Sequence, residues 1–185
     1  YHISPPFSST GGKSTTNHRG NSLMKNIPIG QILVENGFLK EDQLEEALEK
    51  QRSEPGKKLG DVLLELGYVS ETQLAQALSI RLKVPFIDLT TTKIDIEAVK
   101  KIPEAIAKKN CCVAFQMNDS RLTVATDDPI NFYIFEELKV ISGMEIHAMI
   151  ATRTAINETI SKAYSQQTVS NVMDNLNKEY NNATD

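Results

Sequence analysis

The chain has 185 residues, a formal net charge of −4 and two cysteines. Its charges are mixed along the sequence, so no basic field favours binding to nucleic acid or to an anionic membrane. No apolar run reaches the roughly 18 residues that a membrane-spanning helix needs. The only cysteines, Cys111 and Cys112, are adjacent. This pattern is typical of a reduced, cytoplasmic protein in which two thiols act as small apolar side chains, without a disulfide or metal role.

Composition divides the chain into four segments. Residues 1–25 are rich in Ser, Thr, Gly, Pro and Asn and are predicted to be a disordered leader. Residues 26–84 contain an internal repeat, and residues 85–164 alternate between strand and helix patterns. Residues 165–185 form an Asn- and Ser-rich tail, predicted to be a mobile linker that could be helical in part.

The segment from Pro28 to Arg81 contains one 24-residue pattern twice, thirty positions apart. The copies read PIGQILVENGFLKEDQLEEALEKQ and KLGDVLLELGYVSETQLAQALSIR. A match this dense without gaps indicates a true internal repeat. Each copy has apolar residues at helical spacing, a glycine that would end a first helix, and a polar cap before a second apolar helix. Each copy therefore predicts a helix-turn-helix hairpin.

After the repeats the pattern changes from helix to strand. Residues 111–126 predict a β-hairpin around a turn of Asn, Asp and Ser. A helix with Asp127-Asp128 at its start follows, then a third strand, Glu145 to Ile150, and a last helix capped by Thr152. The predicted fold class is α+β: a helical subdomain of two tandem helix-turn-helix repeats, followed by a small three-stranded sheet with packed helices.

The sequence contains no arrangement that is typical of an enzyme. It has no G-x-x-x-x-G-K-[ST] loop to hold a nucleoside triphosphate. His147 lies within the predicted third strand with no second His or Cys at metal-ligand spacing, so it is interpreted as a structural or surface residue. Asp127 and Asp128 could serve a metal or acid-base role, but a carboxylate at a helix start is more often a cap. We therefore expect a non-catalytic chain with no metal site.

The repeats and three later stretches resemble a known family. The pattern is L-G-x-x-L-x-x-x-G-x-x-x-x-x-x-L-x-x-x-L-x-x-Q, followed by P-F-I-D-L at residues 85–89, I-P-E-A-I-A-K-K at residues 102–109 and L-T-V-A-T-D-D-P at residues 122–129. It is similar to the N-terminal domain of type II secretion and type IV pilus assembly ATPases. The resemblance runs from about Pro28 to Tyr164. It implies a non-catalytic regulatory module ahead of a hexameric motor ATPase, whose Walker motifs are missing here.

In one branch of that family, two tandem 24-residue motifs bind cyclic di-GMP, and the resemblance implies this ligand here. A twofold repeat suits a ligand with two phosphates and two guanines. Glycines at helix starts let backbone N–H groups approach phosphate, leucines can pack on purine faces, and Arg or Gln reads guanine edges. Pro28 and Lys58 stand where the family has Arg, and Arg81 stands where it has Gln. The candidate ligand-binding residues carried over are Ile29, Gly30, Leu33, Gly37, Leu44, Leu48, Gln51, Lys58, Leu59, Gly60, Leu63, Gly67, Leu74, Leu78 and Arg81.

Two functions of different class stay open. The first is a cyclic di-GMP sensor. The second is a protein-docking module that links the motor to an inner-membrane platform or to a pilus- or secretion-assembly partner without binding nucleotide. In that case the leucines and glycines only pack two hairpins together. Both functions imply contact with the protein's own C-terminal ATPase domain, a cytoplasmic location beside the inner membrane, and no nucleic acid polymer as partner. An unrelated enzyme is the remaining alternative.

Overall fold

A computed structural model describes residues 28–183, so the predicted leader at residues 1–25 lies outside the described residues. The predicted α+β class is confirmed, with two tandem hairpins followed by a three-stranded sheet and packed helices. The elements in chain order are α1 (Ile29–Glu35), α2 (Glu41–Ser53), α3 (Leu59–Glu65), α4 (Glu71–Leu82), α5 (Ile96–Val99), α6 (Glu104–Asn110), β1 (Cys112–Met117), β2 (Arg121–Thr126), α7 (Phe132–Ser142), β3 (Glu145–Ile150) and α8 (Arg153–Asn182).

Both hairpins have the predicted helix ends. The backbone is left-handed at Gly37, with φ 74°, and at Gly67, with φ 71°, a conformation that a side chain with a Cβ rarely adopts. Helix α4 begins after Ser70, which forms the predicted capping box: its hydroxyl accepts the Gln73 N–H, and the Gln73 side-chain oxygen accepts the Ser70 N–H. Turn and cap residues therefore set the length of each helix.

The two hairpins interlock into one helical body. Helix α1 packs against α4, and α2 packs against α3, so each helix has its closest partner in the other copy of the repeat. Leu33 and Leu63, which are equivalent in the two copies, are fully buried in the shared core. Burying a side chain of this size stabilises the fold by about 1.5–3 kcal/mol.

The second half of the chain is built on the sheet, with strand order β1-β2-β3. Strand β1 pairs antiparallel with β2, and β2 pairs parallel with β3 because α7 carries the chain back between them. Phe86 forms an isolated parallel bridge with Ile150, so the predicted extended piece extends this edge. Phe115 on β1 and Ile156 on α8 belong to the buried core under the sheet.

Two local predictions in this half are wrong. Helix α7 begins at Phe132, with Asn131 as its N-cap. The Asp128 carboxylate instead accepts the Ile130 N–H at 3.3 Å in a local turn, which short acidic side chains favour over a helix start. Cys111 does not lie in a strand: it has φ 46° at the C-cap of α6, and β1 begins at the next residue.

Helix α8 extends well past the sheet. The Thr152 hydroxyl accepts the Ala155 N–H, which confirms the predicted cap, and the helix runs for 30 residues. The segment 165–182 is therefore helical, and its mobility as a linker stays a prediction. No helix within residues 28–183 combines the length and the apolar character that crossing a bilayer requires.

Candidate ligand-binding groove

A groove of about 400 Å³ lies between the helical body and the sheet-containing half. Its size is in the range of small-molecule sites, which is roughly 300–1,000 Å³. One wall comes from the repeats, and the other comes from the loop after β2 and the first turn of α8. The lining residues are Ile29, Gln51, Lys58, Leu59, Gly60, Asp61, Leu74, Leu78, Arg81, Asp127, Asp128, Pro129, Ile130 and Arg153.

Both ends of each repeat meet at this groove. The first copy contributes Ile29 from its start and Gln51 from its end. The second copy contributes the equivalent residues Leu59 and Arg81, and also Lys58 from its first position. The cross-packing of the helices brings these positions together. Eight of the predicted ligand-binding residues line the groove: Ile29, Gln51, Lys58, Leu59, Gly60, Leu74, Leu78 and Arg81.

The other seven predicted residues are not among those that line the groove. Leu33 and Leu63 have no solvent exposure and belong to the core of the hairpins. Gly37 and Gly67 lie at the far ends of α1 and α3, where their left-handed backbone makes the turn. Gly30, Leu44 and Leu48 complete the set. The contacts of Gly30, Leu33, Leu44 and Leu63 are packing contacts, and Gly37 and Gly67 make turns. The part of all seven residues in ligand binding stays a prediction.

The two repeat glycines allow close helix packing. A Cβ built at Gly30 would lie 2.4 Å from Leu44 Cδ1, and one built at Gly60 would lie 3.0 Å from Leu74 Cδ2. Each glycine thus makes room for a leucine of the next helix in its own hairpin. Gly30 is buried, whereas Gly60 is partly exposed and lines the groove. Only the second glycine can both pack a helix and face a ligand.

Ion pairs cross the groove. The Lys58 Nζ lies 3.2 Å from Asp128 Oδ2, and the Lys58 side chain is 74% exposed. The Arg153 Nε donates to Asp127 Oδ2 at 2.8 Å, and its Nη2 lies 3.9 Å from Asp61 Oδ1. The hydrogen bond to Asp127 raises the pKa of Arg153 above its ordinary value. The Lys58–Asp128 and Arg153–Asp61 pairs tie the second repeat to the sheet-containing half, whereas the Arg153–Asp127 pair lies within that half.

Arg81 is the groove's third cation. Its Nε is buried and has no hydrogen-bond partner among the residues that the structure describes. An unsatisfied buried donor costs roughly 1–3 kcal/mol, and more when the group is charged. Arg81 as a residue also lines the groove, where a guanidinium can donate to a phosphate oxygen or to the edge of a base.

Gln51 has a structural hydrogen bond. Its Nε2 donates to the Lys57 carbonyl at 2.9 Å, which fastens the end of α2 to the residue before the second repeat. Lys57 also contacts Glu54 and Glu65, and these hydrogen bonds raise the pKa of Lys57. The end of the first repeat and the start of the second are thus held together at the groove.

Sequence reasoning missed the wall that the second half contributes. From the sequence alone, Asp127 and Asp128 resemble helix caps, and no pattern distinguishes Arg153. The available signal was their place at the ends of strands, where loops carry most binding residues. Asp127-Asp128 directly follows β2, and Arg153 comes three residues after β3.

The titratable groups here show no metal chemistry or reactive thiol. Within the described part of the chain, no group of three or more His, Cys, Asp and Glu side chains could hold a metal ion. Burial raises the pKa of Cys111 and of Cys112 to about 12, so both stay protonated at neutral pH. His147 lies exposed on β3.

Comparison with known proteins identifies the family. The structure of MshE with cdg matches this chain at 33% sequence identity and a TM-score of 0.65, and the match covers 74% of this chain and 99% of that one. The chain belongs to the MshEN domain family. The MshEN domain model matches residues 82–170, which is the sheet-containing half and the start of the tail. The sequence prediction of an N-terminal domain of pilus and secretion ATPases is confirmed.

One further relative is similar in sequence, and one further solved structure is similar in fold. The type IV pilus assembly ATPase PilB of Myxococcus xanthus (strain DK1622) is 29% identical over 139 residues, which is 75% of this chain and 24% of that protein. The MshEN domain described here thus spans about a quarter of the length of this curated relative. The N-terminal domain of XpsE shares the fold, with 22% identity and a TM-score of 0.57 over 74% of this chain and 94% of that one.

Proposed function

We propose that this MshEN domain binds cyclic di-GMP in the groove and thereby acts as the regulatory N-terminal domain of a pilus-assembly or secretion motor ATPase. The observation that carries the proposal is the convergence of both 24-residue motifs, through Ile29, Gln51, Lys58 and Arg81, on one groove. The relative MshE, whose structure was solved with cdg, supports the choice of ligand.

The groove has the two kinds of wall that a cyclic dinucleotide needs. Leu59, Leu74 and Leu78 give an apolar surface on which a purine face can lie. Lys58 and Arg81 give cations for phosphate oxygens and for the O6 and N7 acceptors of guanine. Because the Lys58 side chain is mostly exposed, it can exchange its carboxylate partner for a phosphate without leaving the groove.

The domain in this function is non-catalytic. ATP hydrolysis belongs to the motor domain of the full-length protein. Its partners are that hexameric motor and the inner-membrane platform or assembly proteins, which place it in the cytoplasm beside the membrane. Ligand in the groove would bridge the repeats and the sheet-containing half, because both contribute walls. A bound dinucleotide would therefore hold the two halves together more firmly.

The proposal is tested by calorimetric titration of the chain with cyclic di-GMP at two salt concentrations. We expect saturable binding to the wild-type chain that weakens as salt rises. Lys58→Ala and Arg81→Ala should each weaken it about tenfold to a hundredfold, since a lost contact to a charged group costs about 1.5–3 kcal/mol. Gln51→Ala removes a neutral contact and should cost nearer 1 kcal/mol.

Lys108→Ala is the matched control. Lys108 also forms a surface ion pair, 2.7 Å from Glu104, but it lies on α6 and is not among the residues that line the groove. Equal loss in Lys58→Ala and Lys108→Ala would mean that only overall charge matters and that the groove is not the site. Absence of heat with the wild-type chain at high ligand concentration would exclude the sensor function.

A protein-docking module is the second candidate function. The observation that favours it is a stripe of exposed apolar residues on the last turns of α8: Val169, Val172, Met173, Leu176 and Tyr180. Such a stripe has a partner in many helical assemblies. In this function an assembly or platform protein covers the stripe, and the chain gives no cyclic di-GMP isotherm.

A further inference from the structure

The second half of α8 leaves the body of the domain. Tyr164 is the last buried residue of the helix, and its hydroxyl donates to the Ile102 carbonyl at 2.6 Å. Every residue from 165 to 182 is exposed, except the half-buried Gln167, yet the backbone stays helical to Asn182. Tyr164 is therefore the point where the packing of α8 onto the body ends and a projecting helix begins.

The composition of this projecting segment does not favour a helix. The segment 165–182 reads SQQTVSNVMDNLNKEYNN, and more than half of its residues are Asn, Ser, Thr or Val, which have weak helix propensity. In proteins, most of the stability of a helix comes from packing of its apolar face and little of it from propensity. A helix in this segment therefore needs a surface that covers its apolar face.

The apolar face is a straight stripe, which we name the α8 stripe: Val169, Val172, Met173, Leu176 and Tyr180. The first four side chains are 52–64% exposed, and none of the five belongs to either hydrophobic core of residues 28–183. From Val169 to Tyr180 the stripe spans three helical turns, a repeat that keeps apolar residues on one line along a nearly straight helix. The stripe is thus about 17 Å long, at about 1.5 Å per residue. A narrow line of this kind fits another helix that lies alongside.

The charges of the segment indicate which helix that is. Its only charged residues are Asp174, Lys178 and Glu179. At about 3.6 residues per turn, Asp174 and Lys178 lie on the side of the helix opposite the stripe, and most residues beside the stripe are Asn, Ser, Thr or Gln. Charged residues at the edge of an interface commonly select a different protein as partner and repel an identical one. The neutral edges of the α8 stripe do neither.

We propose that the α8 stripe is a self-association surface, which the same stripe of a second copy of the chain covers. An interface of this kind is isologous, because both copies contribute the same residues about a twofold axis. Each projecting helix then supplies the apolar surface that the other needs. The proposal does not depend on cyclic di-GMP, since none of the stripe residues lines the groove.

The size of the stripe sets the expected strength. Stable interfaces bury roughly 1,200–2,000 Å² in total, and a contact between two helices over about 17 Å is smaller than that. We therefore expect a dimer that dissociates on dilution. Sedimentation equilibrium over a range of chain concentrations measures the dissociation, and far-ultraviolet circular dichroism should show more helix at the concentrations where the dimer forms. A chain that is monomeric at every concentration would overturn the proposal and leave the stripe to an assembly protein.

A matched pair of variants tests whether the stripe forms the contact. Leu176→Asp places a charge on the stripe and should raise the dissociation constant about tenfold or more, with loss of the concentration-dependent helix. Asn171→Asp adds the same charge at an exposed residue on the opposite side of the helix and should pair like the wild type. Thermal unfolding checks that both variants keep the folded body, because neither residue belongs to its core. Equal weakening in the two variants, or a dimer that Leu176→Asp leaves intact, would show that the copies do not meet at the stripe.

Discussion

The two repeats have one sequence pattern and one hairpin geometry, yet they have different surroundings. The second hairpin packs against the sheet-containing half, where α4 contacts β3 and Arg153 approaches Asp61. The first copy of the repeat gives the groove Ile29 and Gln51, while the second copy gives it all of Lys58, Leu59, Gly60, Asp61, Leu74, Leu78 and Arg81. An internal repeat thus predicts a repeated hairpin, but the neighbouring half of the molecule decides which copy forms most of a site.

This asymmetry changes the expectation of a quasi-twofold site. Pro28, at the position equivalent to Lys58, is exposed and is not among the groove residues. It also has no side-chain cation to offer. If cyclic di-GMP binds as proposed, most of the electrostatic recognition comes from the second copy and from the wall opposite it. In the core of the hairpins, in contrast, equivalent residues of the two copies are buried to the same extent, as Leu33 and Leu63 show.

The core should show the largest effect and the smallest difference between copies. Leu33→Ala and Leu63→Ala each remove a fully buried side chain from the same cluster. Each should lower the free energy of unfolding by about 2–5 kcal/mol, because a lost leucine costs transfer energy and leaves a cavity. Urea unfolding followed by circular dichroism measures both variants, with the exposed Gln76→Ala as control. A loss below about 1 kcal/mol in either variant would contradict the shared core.

Helix ends, helix caps and strand positions could be predicted from the sequence, because they depend on residues that are close together in the chain. Gly37 and Gly67 end helices, Ser70 and Thr152 cap them, and the strand periodicity placed β1 to β3 within a residue or so. The opposite wall of the groove could not be predicted in this way. The Arg153–Asp127 pair joins residues 26 positions apart across two elements, and no local rule shows such a contact.

The candidate site was predicted in part, for the same reason. The family motif specifies positions within a hairpin. It does not specify which of these positions are buried in the core and which are exposed at the surface. Leu63 and Leu74 come from one copy, but Leu63 is fully buried and Leu74 reaches the groove. Which motif positions face a ligand depends on how the hairpins cross, and that is a tertiary property.

Substitution of the repeat glycines should change the free energy of unfolding by less than substitution of the core leucines, and by different amounts in the two copies. In a helix, Gly→Ala gains about 0.5–1 kcal/mol of backbone entropy, but overpacking a core costs about 1–3 kcal/mol. A Cβ at Gly30 would lie 2.4 Å from Leu44 Cδ1, against 3.0 Å to Leu74 at Gly60. We expect Gly30→Ala to lose about 1 kcal/mol and Gly60→Ala to change stability by less. Denaturant unfolding compares them.

A double-mutant cycle checks the physical reason. If Leu44 is what the new methyl meets, then Gly30→Ala combined with Leu44→Ala should cost less than the sum of the two single variants. Additive losses in the free energy of unfolding would show that the new methyl group at position 30 is crowded by a residue other than Leu44. Gly60→Ala also reports on the groove, because a ligand lying over this glycine would lose affinity while the protein keeps its stability. Unchanged cyclic di-GMP binding in Gly60→Ala would count against a phosphate at that place.

The smallest effect is expected at Phe38 and Tyr68, which are equivalent in the two copies. The Tyr68 hydroxyl donates to the Glu46 carboxylate, and this hydrogen bond is the main cause that raises the pKa of Tyr68 above its ordinary value. A group whose pKa is raised on folding adds stability below its unfolded pKa, about 10 for tyrosine, and loses it as the pH rises through the folded value. Stability of the wild-type chain should therefore fall more steeply above about pH 10 than that of Tyr68→Phe, which makes the second copy resemble the first.

Denaturant unfolding across that pH range measures both slopes, with Tyr133→Phe, at a residue 91% exposed, as the control. The effect should be small because the pair is exposed and water screens it. Parallel slopes for wild type and Tyr68→Phe would show that this hydrogen bond does not hold the second hairpin in solution.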